Sequence, residues 1–214
     1  MKALIITSKL VQDHEFIYPF YRLKEEGFEV DVYNQTNTIV KGFFGTKIPP
    51  QKDDNIVSLV NIKIDSYDVL ILPGGVKSME LLRLDNSAIE TVKKFNKKNK
   101  IIAAICSGTM MCISADILKD KKVTGYYAWK QDIINAGGNY YVVDVGDGSV
   151  SNLTNWRVDM SNIKATFLTH LHSDHISDLA DLHLATWINQ SREDKLDVYG
   201  PKGVSLVTQG FADA

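Results

Sequence analysis

Three short, nearly continuous apolar runs, at residues 2–7, 69–72 and 100–105, constrain this chain more than any other feature. Runs that short, with no polar face, suit strands buried on both sides, and such strands belong to parallel sheets covered by helices. The segments between them supply the helices. Phe16, Ile17, Phe20 and Leu23 recur at helical spacing with Gly27 as the stop, and Ile89, Val92 and Phe95 form an inward stripe over residues 87–98. Pro19 predicts a kink or an offset start in the first helix. Residues 28–33 alternate as a further strand, and residues 34–54, rich in Gly, Thr and Pro, read as a hairpin excursion. Strands alternating with helices predict an α/β fold with a right-handed parallel sheet and helices on both faces.

From Asn139 onward the texture changes. Residues 140–145, 165–169 and 196–199 read as strands, Gly146-Asp147-Gly148-Ser149 as a turn, and a helix carries Leu179, Leu182 and Trp187. The chain therefore reads as two modules, 1–140 and 141–214, joined without a spacer. A length of 214 residues accommodates one sizeable domain or two small ones.

Lys plus Arg (24) nearly balances Asp plus Glu (26), so the net charge of −2 sets up no field for nucleic acid or an anionic membrane. No apolar run approaches the roughly 20 residues that span a bilayer, and the first residues read as a strand, not a signal peptide. Two cysteines, Cys106 and Cys112, are too few for a disulfide framework. The expectation is a cytoplasmic protein without nucleic-acid or membrane partners.

Cys106 stands where a strand ends and a helix begins, in Ile105-Cys106-Ser107-Gly108-Thr109. Small neighbours, Ala104 and Gly108, permit the sharp turn of a nucleophile elbow. The positive end of the following helix is expected to pull the thiol pKa below the free value of ~8.5. Cys112 falls inside that helix and reads as a buried structural residue.

These residues carry a resemblance. Glu15 with Ile17-Tyr18-Pro19, Leu23-Lys24-Glu25-Glu26-Gly27, Leu72-Pro73-Gly74-Gly75, Ala104-Ile105-Cys106-Ser107-Gly108 and Lys130-Gln131-Asp132-Ile133-Ile134-Asn135-Ala136-Gly137 are similar to the ThiJ/PfpI superfamily, part of the class I glutamine-amidotransferase-like group. The resemblance covers residues 1 to about 140. It implies a flavodoxin-like fold and a homodimer or larger homo-oligomer. It also implies Cys106 as nucleophile, Glu15 as a carboxylic acid hydrogen-bonded to the sulfur, the Gly75 amide in an oxyanion pocket and Tyr126 beside that pocket. Peptidases of the family carry His directly after the nucleophile, whereas this chain has Ser107. A Cys–His relay is therefore missing from the motif. Attack on an activated small-molecule carbonyl such as a 2-oxoaldehyde suits the site better than attack on a peptide bond, and no cofactor is required. An exposed thiolate can also be oxidised to sulfinate, a sensing chemistry.

Three of the five histidines lie in Thr169-His170-Leu171-His172-Ser173-Asp174-His175. Strand alternation puts His170 and His172 on one face, with Asp174 and His175 brought round by the loop. Imidazole and carboxylate are natural zinc ligands. Together with Val143-Asp144-Val145-Gly146-Asp147-Gly148 and Val198-Tyr199-Gly200-Pro201, this segment resembles the metallo-β-lactamase superfamily over about residues 141–214. The resemblance implies an incomplete metallo-β-lactamase-like α/β segment. His170 and His172 would hold one zinc and Asp174 and His175 a second, Asp174 also orienting the attacking water. The family draws further ligands from sequence downstream of this cluster, and His183 matches none of them. Weak or incomplete zinc binding is the expectation.

Three readings follow. The leading one is a cysteine-dependent hydrolase or glyoxalase/deglycase-like enzyme centred on Cys106. The second is a zinc-dependent metallo-β-lactamase-fold hydrolase. The third is a non-enzymatic thiol redox sensor or stress-response protein.

Overall fold

The computed structural model describes residues 1–36, 39–48, 55–163, 165–188 and 195–212, and within them the chain divides into two compact units. The first comprises Met1–Lys119 and Gly125–Gly137, the second Asp120–Thr124 and Gly138–Ala214.

In the first unit, β1 (Lys2–Thr7) leads through α1 (Asp13–Glu25) to β2 (Glu29–Asn34). An antiparallel pair of β3 (Val40–Lys41) and β4 (Lys47–Ile48) comes next, the hairpin expected in this stretch. Residues 37–38 and 49–54 of that expected excursion lie outside the described residues. Then come β5 (Asn55–Ile56), β6 (Val69–Leu72), α2 (Val76–Leu82), α3 (Asn86–Lys97), β7 (Ile101–Ala104), α4 (Thr109–Ser114) and α5 (Lys130–Asn135). The sheet runs β5-β2-β1-β6-β7, every pair parallel.

Both faces of that sheet are buried, as the unbroken apolar runs require. Ala3, Ile5, Val30, Val32, Val69 and Ile71 pack with Phe16 and Phe20 of α1, while the alternate residues Leu4, Ile6, Leu70 and Leu72 are equally buried. Each such side chain contributes roughly 1.5–3 kcal/mol of transfer free energy. The first helix does not start late: α1 runs from Asp13 straight through Pro19, whose missing amide leaves the Glu15 carbonyl without its intrahelical donor. Gly27, at φ +78°, closes α1 with Phe28 N–H donating to Leu23 and Gly27 N–H to Lys24. In α3 the inward stripe is Ala88, Thr91, Val92 and Phe95, with Ile89 only half-buried, and the Asp85 carboxylate caps its start.

The strand order places the functional crevice. From β1 the chain moves outward to β2 and β5, then returns to the other side of β1 for β6 and β7. The crevice beyond the carboxyl ends of β1 and β6 is therefore a topological switch point, where open α/β sheets bind ligands.

The second unit contains the parallel pair β8 (Lys122–Val123) and β9 (Asn139–Tyr140), and a parallel three-stranded sheet. That sheet is ordered β10 (Val142–Val143), β11 (Ala165–Phe167) and β12 (Asp197–Tyr199). Its helices are α6 (Ser149–Asn155), α7 (Ser173–Ile176), α8 (Leu179–Ile188) and α9 (Val204–Ala212). The single strand expected over residues 140–145 is broken in two, because Tyr140 pairs with Val123 while Val142 pairs with Thr166. Leu179 and Leu182 enter the core with Val145, Leu153, Ile163 and Leu168, whereas Trp187 is exposed. Among the described residues no helix is long and apolar enough to cross a membrane.

Candidate functional site

Cys106 follows β7 with φ +54°, a left-handed conformation that a non-glycine residue holds only when its surroundings enforce it. The enforcement is visible. Its carbonyl accepts from the Thr109 hydroxyl (3.0 Å) and the Tyr126 amide (3.2 Å), and Gly108 N–H donates to Ile105 at 2.7 Å. Gly108 must lack a side chain, since a Cβ there would lie 2.1 Å from the Leu72 carbonyl oxygen. Gly125 likewise lets the Tyr126 segment approach, because a Cβ would come 2.7 Å from the Thr109 hydroxyl.

Glu15, on the first turn of α1, sets its carboxyl beside the Cys106 thiol and accepts from the Gly74 amide at 2.7 Å. Gly74 leaves the room for this, as a Cβ would lie 2.3 Å from the Glu15 carboxylate. Gly75, at φ +97°, lines the same cleft, and its amide donates to no group among the described residues. The cleft encloses about 420 Å³ and includes Cys106, Glu15, Gly75, Ser107 and Tyr126. The sequence-derived site residues of the first unit thus converge. No histidine lines the cleft among the described residues; His14 instead packs its ring against Phe44 at 5.9 Å.

The expectation of an acidified thiol is not met. Burial pushes the Cys106 pKa up, the neighbouring Glu15 charge adds to that push, and the Ser107 amide and hydroxyl oppose it without reversing it. A three-residue 3₁₀ turn holds Cys106 ahead of α4, and α4 itself has only six residues, so the helix dipole is weak there. Burial raises the Glu15 pKa as well, against its contacts with Gly74 and Cys106. Both groups hold a proton more readily than usual. The Ser107 hydroxyl is fully buried beside the Cys106 sulfur. Cys112 is buried, its pKa pushed up to about 12 by desolvation.

In the second unit, His170, Asp174 and His175 present ligand atoms within 4.8 Å of one another. Of the four ligands expected from the sequence, these three form one group, and His170 and His172 also stand together, their ring centroids 4.7 Å apart. His172 precedes α7 and sets its ring edge-on to that of His170, outside the three-residue group. β11 ends at Phe167, so His170 and His172 lie in the loop beyond the strand and are brought together by that loop, not by strand alternation.

Asp144, at φ +58° after β10, organises the cluster, a role that its place before the Gly-Asp-Gly turn did not reveal. Its carboxylate accepts from the Thr169 amide and hydroxyl, both at 2.8 Å, and lies 3.0 Å from His175 Nδ1. Those partners hold the Asp144 carboxyl below its ordinary pKa although burial pushes it up. With the Thr169 hydroxyl committed to Asp144, the 3.0 Å contact to His170 Nδ1 assigns the proton to that ring nitrogen. The same logic puts a proton on His175 Nδ1. Nε2 of each ring is then left to ligate, and His175 Nε2 lies 3.5 Å from the Asp174 carboxylate. Two imidazole nitrogens and one carboxylate oxygen fit a single zinc ion with open positions, and the grouping does not supply a second.

Comparisons with known proteins divide the chain in a similar way. The model of the DJ-1/PfpI family matches residues 1–151, and that of the metallo-beta-lactamase superfamily matches residues 133–213. A protein named a deglycase from Pyrococcus abyssi is 36% identical over 156 residues, covering 73% of this chain and 87% of the relative. The deglycase PfpI of Pyrococcus furiosus is 39% identical over 137 residues, 64% of this chain and 79% of the relative. Among solved structures, a two-domain protein of Anabaena variabilis with DJ-1/ThiJ/PfpI-like and ferritin-like domains aligns at a TM-score of 0.61 and 27% identity. It covers 91% of this chain, which spans about half (49%) of that protein. DJ-1beta of Drosophila melanogaster aligns at 0.57 and 25% identity, over 69% of this chain and 78% of its own.

Proposed function

The chain belongs to the DJ-1/PfpI family, and from that premise we propose that it is a cysteine-dependent hydrolase or glyoxalase/deglycase-like enzyme acting on activated carbonyls, with Cys106 as nucleophile. The observation that carries this reading is the Glu15 carboxyl set beside the Cys106 thiol in one cleft. As the sulfur adds to the carbonyl carbon, the thiol proton passes to the Glu15 carboxylate, whose raised pKa makes it a better acceptor, while the raised Cys106 pKa keeps the proton on sulfur until attack. The carbonyl oxygen takes the electron pair and accepts from the Gly75 amide. Without an imidazole in the cleft to form a Cys–His relay, attack on an activated carbonyl such as a 2-oxoaldehyde is favoured over attack on a peptide bond. Relatives named deglycases support the deglycase-like role.

The test is turnover of methylglyoxal, a chromogenic peptide amide and a phosphodiester, each with and without chelator. Turnover of the 2-oxoaldehyde alone, insensitive to chelator and lost in Cys106→Ala, is expected. Absence of that turnover, with peroxide converting Cys106 to sulfinate in mass spectra, would favour the redox-sensor reading instead.

The donor geometry in the second unit favours a further reading, in which His170, Asp174 and His175 take one zinc ion. Bound zinc would polarise a water molecule in an open position. Asp144 and Thr169 hold the two rings in the required tautomers. Elemental analysis after growth in zinc should give at most one ion per chain, removed by dialysis against chelator. Two tightly held ions supporting phosphodiester hydrolysis would overturn this reading.

A further inference from the structure

The wall of the Cys106 cleft contains an aromatic ring whose position is more strictly fixed than its exposure suggests. Phe43 lies between β3 and β4, is 66% exposed, and lines the cleft. A hairpin with two residues per strand is not stable alone. This one is tied down at several points. The buried Asp13 carboxylate accepts from the amides of Phe44 (2.9 Å) and Thr46 (3.2 Å). Leu10 N–H donates to Lys41 and Phe43 N–H to Val11, both at 2.9 Å. Gly42 sits so close that a Cβ would lie 2.4 Å from the Asp13 carboxyl, and Ile48 is anchored in the core. The backbone carrying Phe43 is therefore placed against the loop that follows β1, beside the nucleophile.

The other walls agree in character. Leu10, Val76 and Tyr126 also line the cleft. Its charged groups are already engaged: Lys77 and Glu80 pair with each other at 2.7 Å, and Glu15 is bonded to Gly74 beside Cys106. No unpaired cation is left among these lining residues to receive a carboxylate or phosphate. A volume of about 420 Å³ holds a small carbonyl compound together with a ring-sized substituent.

We propose that this cleft selects carbonyl compounds bearing an uncharged aromatic or branched apolar substituent, with Phe43 as the specificity-determining residue and Asp13 as the positioning residue that holds it. The proposal rests on Cys106 being the reactive group of the cleft, and it names the substrate class for that site.

Its test uses covalent probes that need no turnover. N-ethylmaleimide and N-benzylmaleimide share one reaction: the sulfur adds to the ring double bond, and the adjacent carbon takes a proton from water. Rates at Cys106 are followed by mass spectrometry with peptide mapping, and the benzyl-to-ethyl ratio is divided by the same ratio for glutathione. The full chain should prefer the benzyl reagent about tenfold, a contact of one aromatic substituent with the wall. Phe43→Ala should bring the ratio close to that of glutathione, and Phe43→Leu should retain part of it. Asp13→Ala should lower the ratio in the wild-type background but not further in Phe43→Ala, since Asp13 acts through Phe43. A wild-type ratio equal to that of glutathione, or one unchanged by Phe43→Ala, would overturn the proposal. A ratio that is high and falls in Phe43→Ala, with neither methylglyoxal nor phenylglyoxal turned over, would uphold the cleft's selectivity and remove the enzymatic reading.

Discussion

The cysteine cleft and the histidine cluster are both built on loops after parallel strands, but they are held by different means. Main-chain groups fix the cysteine cleft. The strained φ of Cys106 is locked through its carbonyl by Thr109 and Tyr126, Glu15 is aimed by the Gly74 amide, and the Phe43 hairpin hangs from Asp13 through two amides. Side chains fix the histidine cluster, in a chain from His170 through Thr169 and Asp144 to His175. Each region also has a glycine that clears space for a carbonyl oxygen: a Cβ would lie 2.1 Å from Leu72 at Gly108 and 1.9 Å from Asp174 at Gly146. A nucleophile must be pre-aimed, and a rigid backbone does that. Metal ligands can tolerate a softer frame, because the ion itself draws donors into place.

The largest expected effect tests whether the two regions act independently. Cys106→Ala should reduce 2-oxoaldehyde turnover by at least about 10,000-fold, while Asp174→Ala should change it less than about twofold, the usual spread for uncoupled sites. Steady-state kinetics on both variants decide this, and an equal loss in both would break the comparison.

A smaller effect sharpens the cysteine side. Glu15→Gln removes the proton acceptor and should lower turnover roughly 100-fold. It also removes the charge that helps raise the Cys106 pKa. The pH profile of thiol alkylation should therefore move to lower pH as turnover falls. Alkylation and turnover declining together, with no shift in the profile, would show that Glu15 supports the loop without exchanging a proton.

On the histidine side, Asp144→Ala touches none of the three candidate ligand atoms. Zinc affinity, measured by competition with a chromogenic chelator, should nonetheless fall about 10–100-fold as the two rings lose their fixed tautomers. Unchanged affinity would mean that the side-chain frame is not needed.

The smallest effect concerns the hairpin anchor. Burial raises the Asp13 pKa, but the bonds from Phe44 and Thr46 outweigh it and hold the carboxyl below its ordinary value. A depressed carboxylate pKa stabilises the fold above the ordinary carboxylate range, and that contribution is lost as pH falls through the folded value. Asp13→Asn should thus cost about 1–2 kcal/mol at neutral pH, read by denaturant unfolding, with the difference from wild type vanishing in acid. A difference that persists at pH 2 would show that the loss is steric.

Much of this was legible before any coordinates. The buried strands announce themselves because both of their faces are apolar, and β6 matches the expected residues 69–72. The turn at Cys106 is legible because glycine and small residues have one use at such a place. Other features depend on distance in space. The Cys106 pKa shift turned first on burial that no local pattern reports, and then on Glu15, ninety-one positions away in the chain (106 − 15). The metal grouping turned on where β11 stops, and Asp144 reaches His175 across thirty-one positions (175 − 144). The sequence by itself determined which residues could be strands, turns, nucleophile and ligands, since those follow from side-chain chemistry and local periodicity. The tertiary structure alone decided which of them share a proton, a lone-pair geometry or a wall, because electrostatics and hydrogen bonding act over ångströms in space, not over positions in the chain.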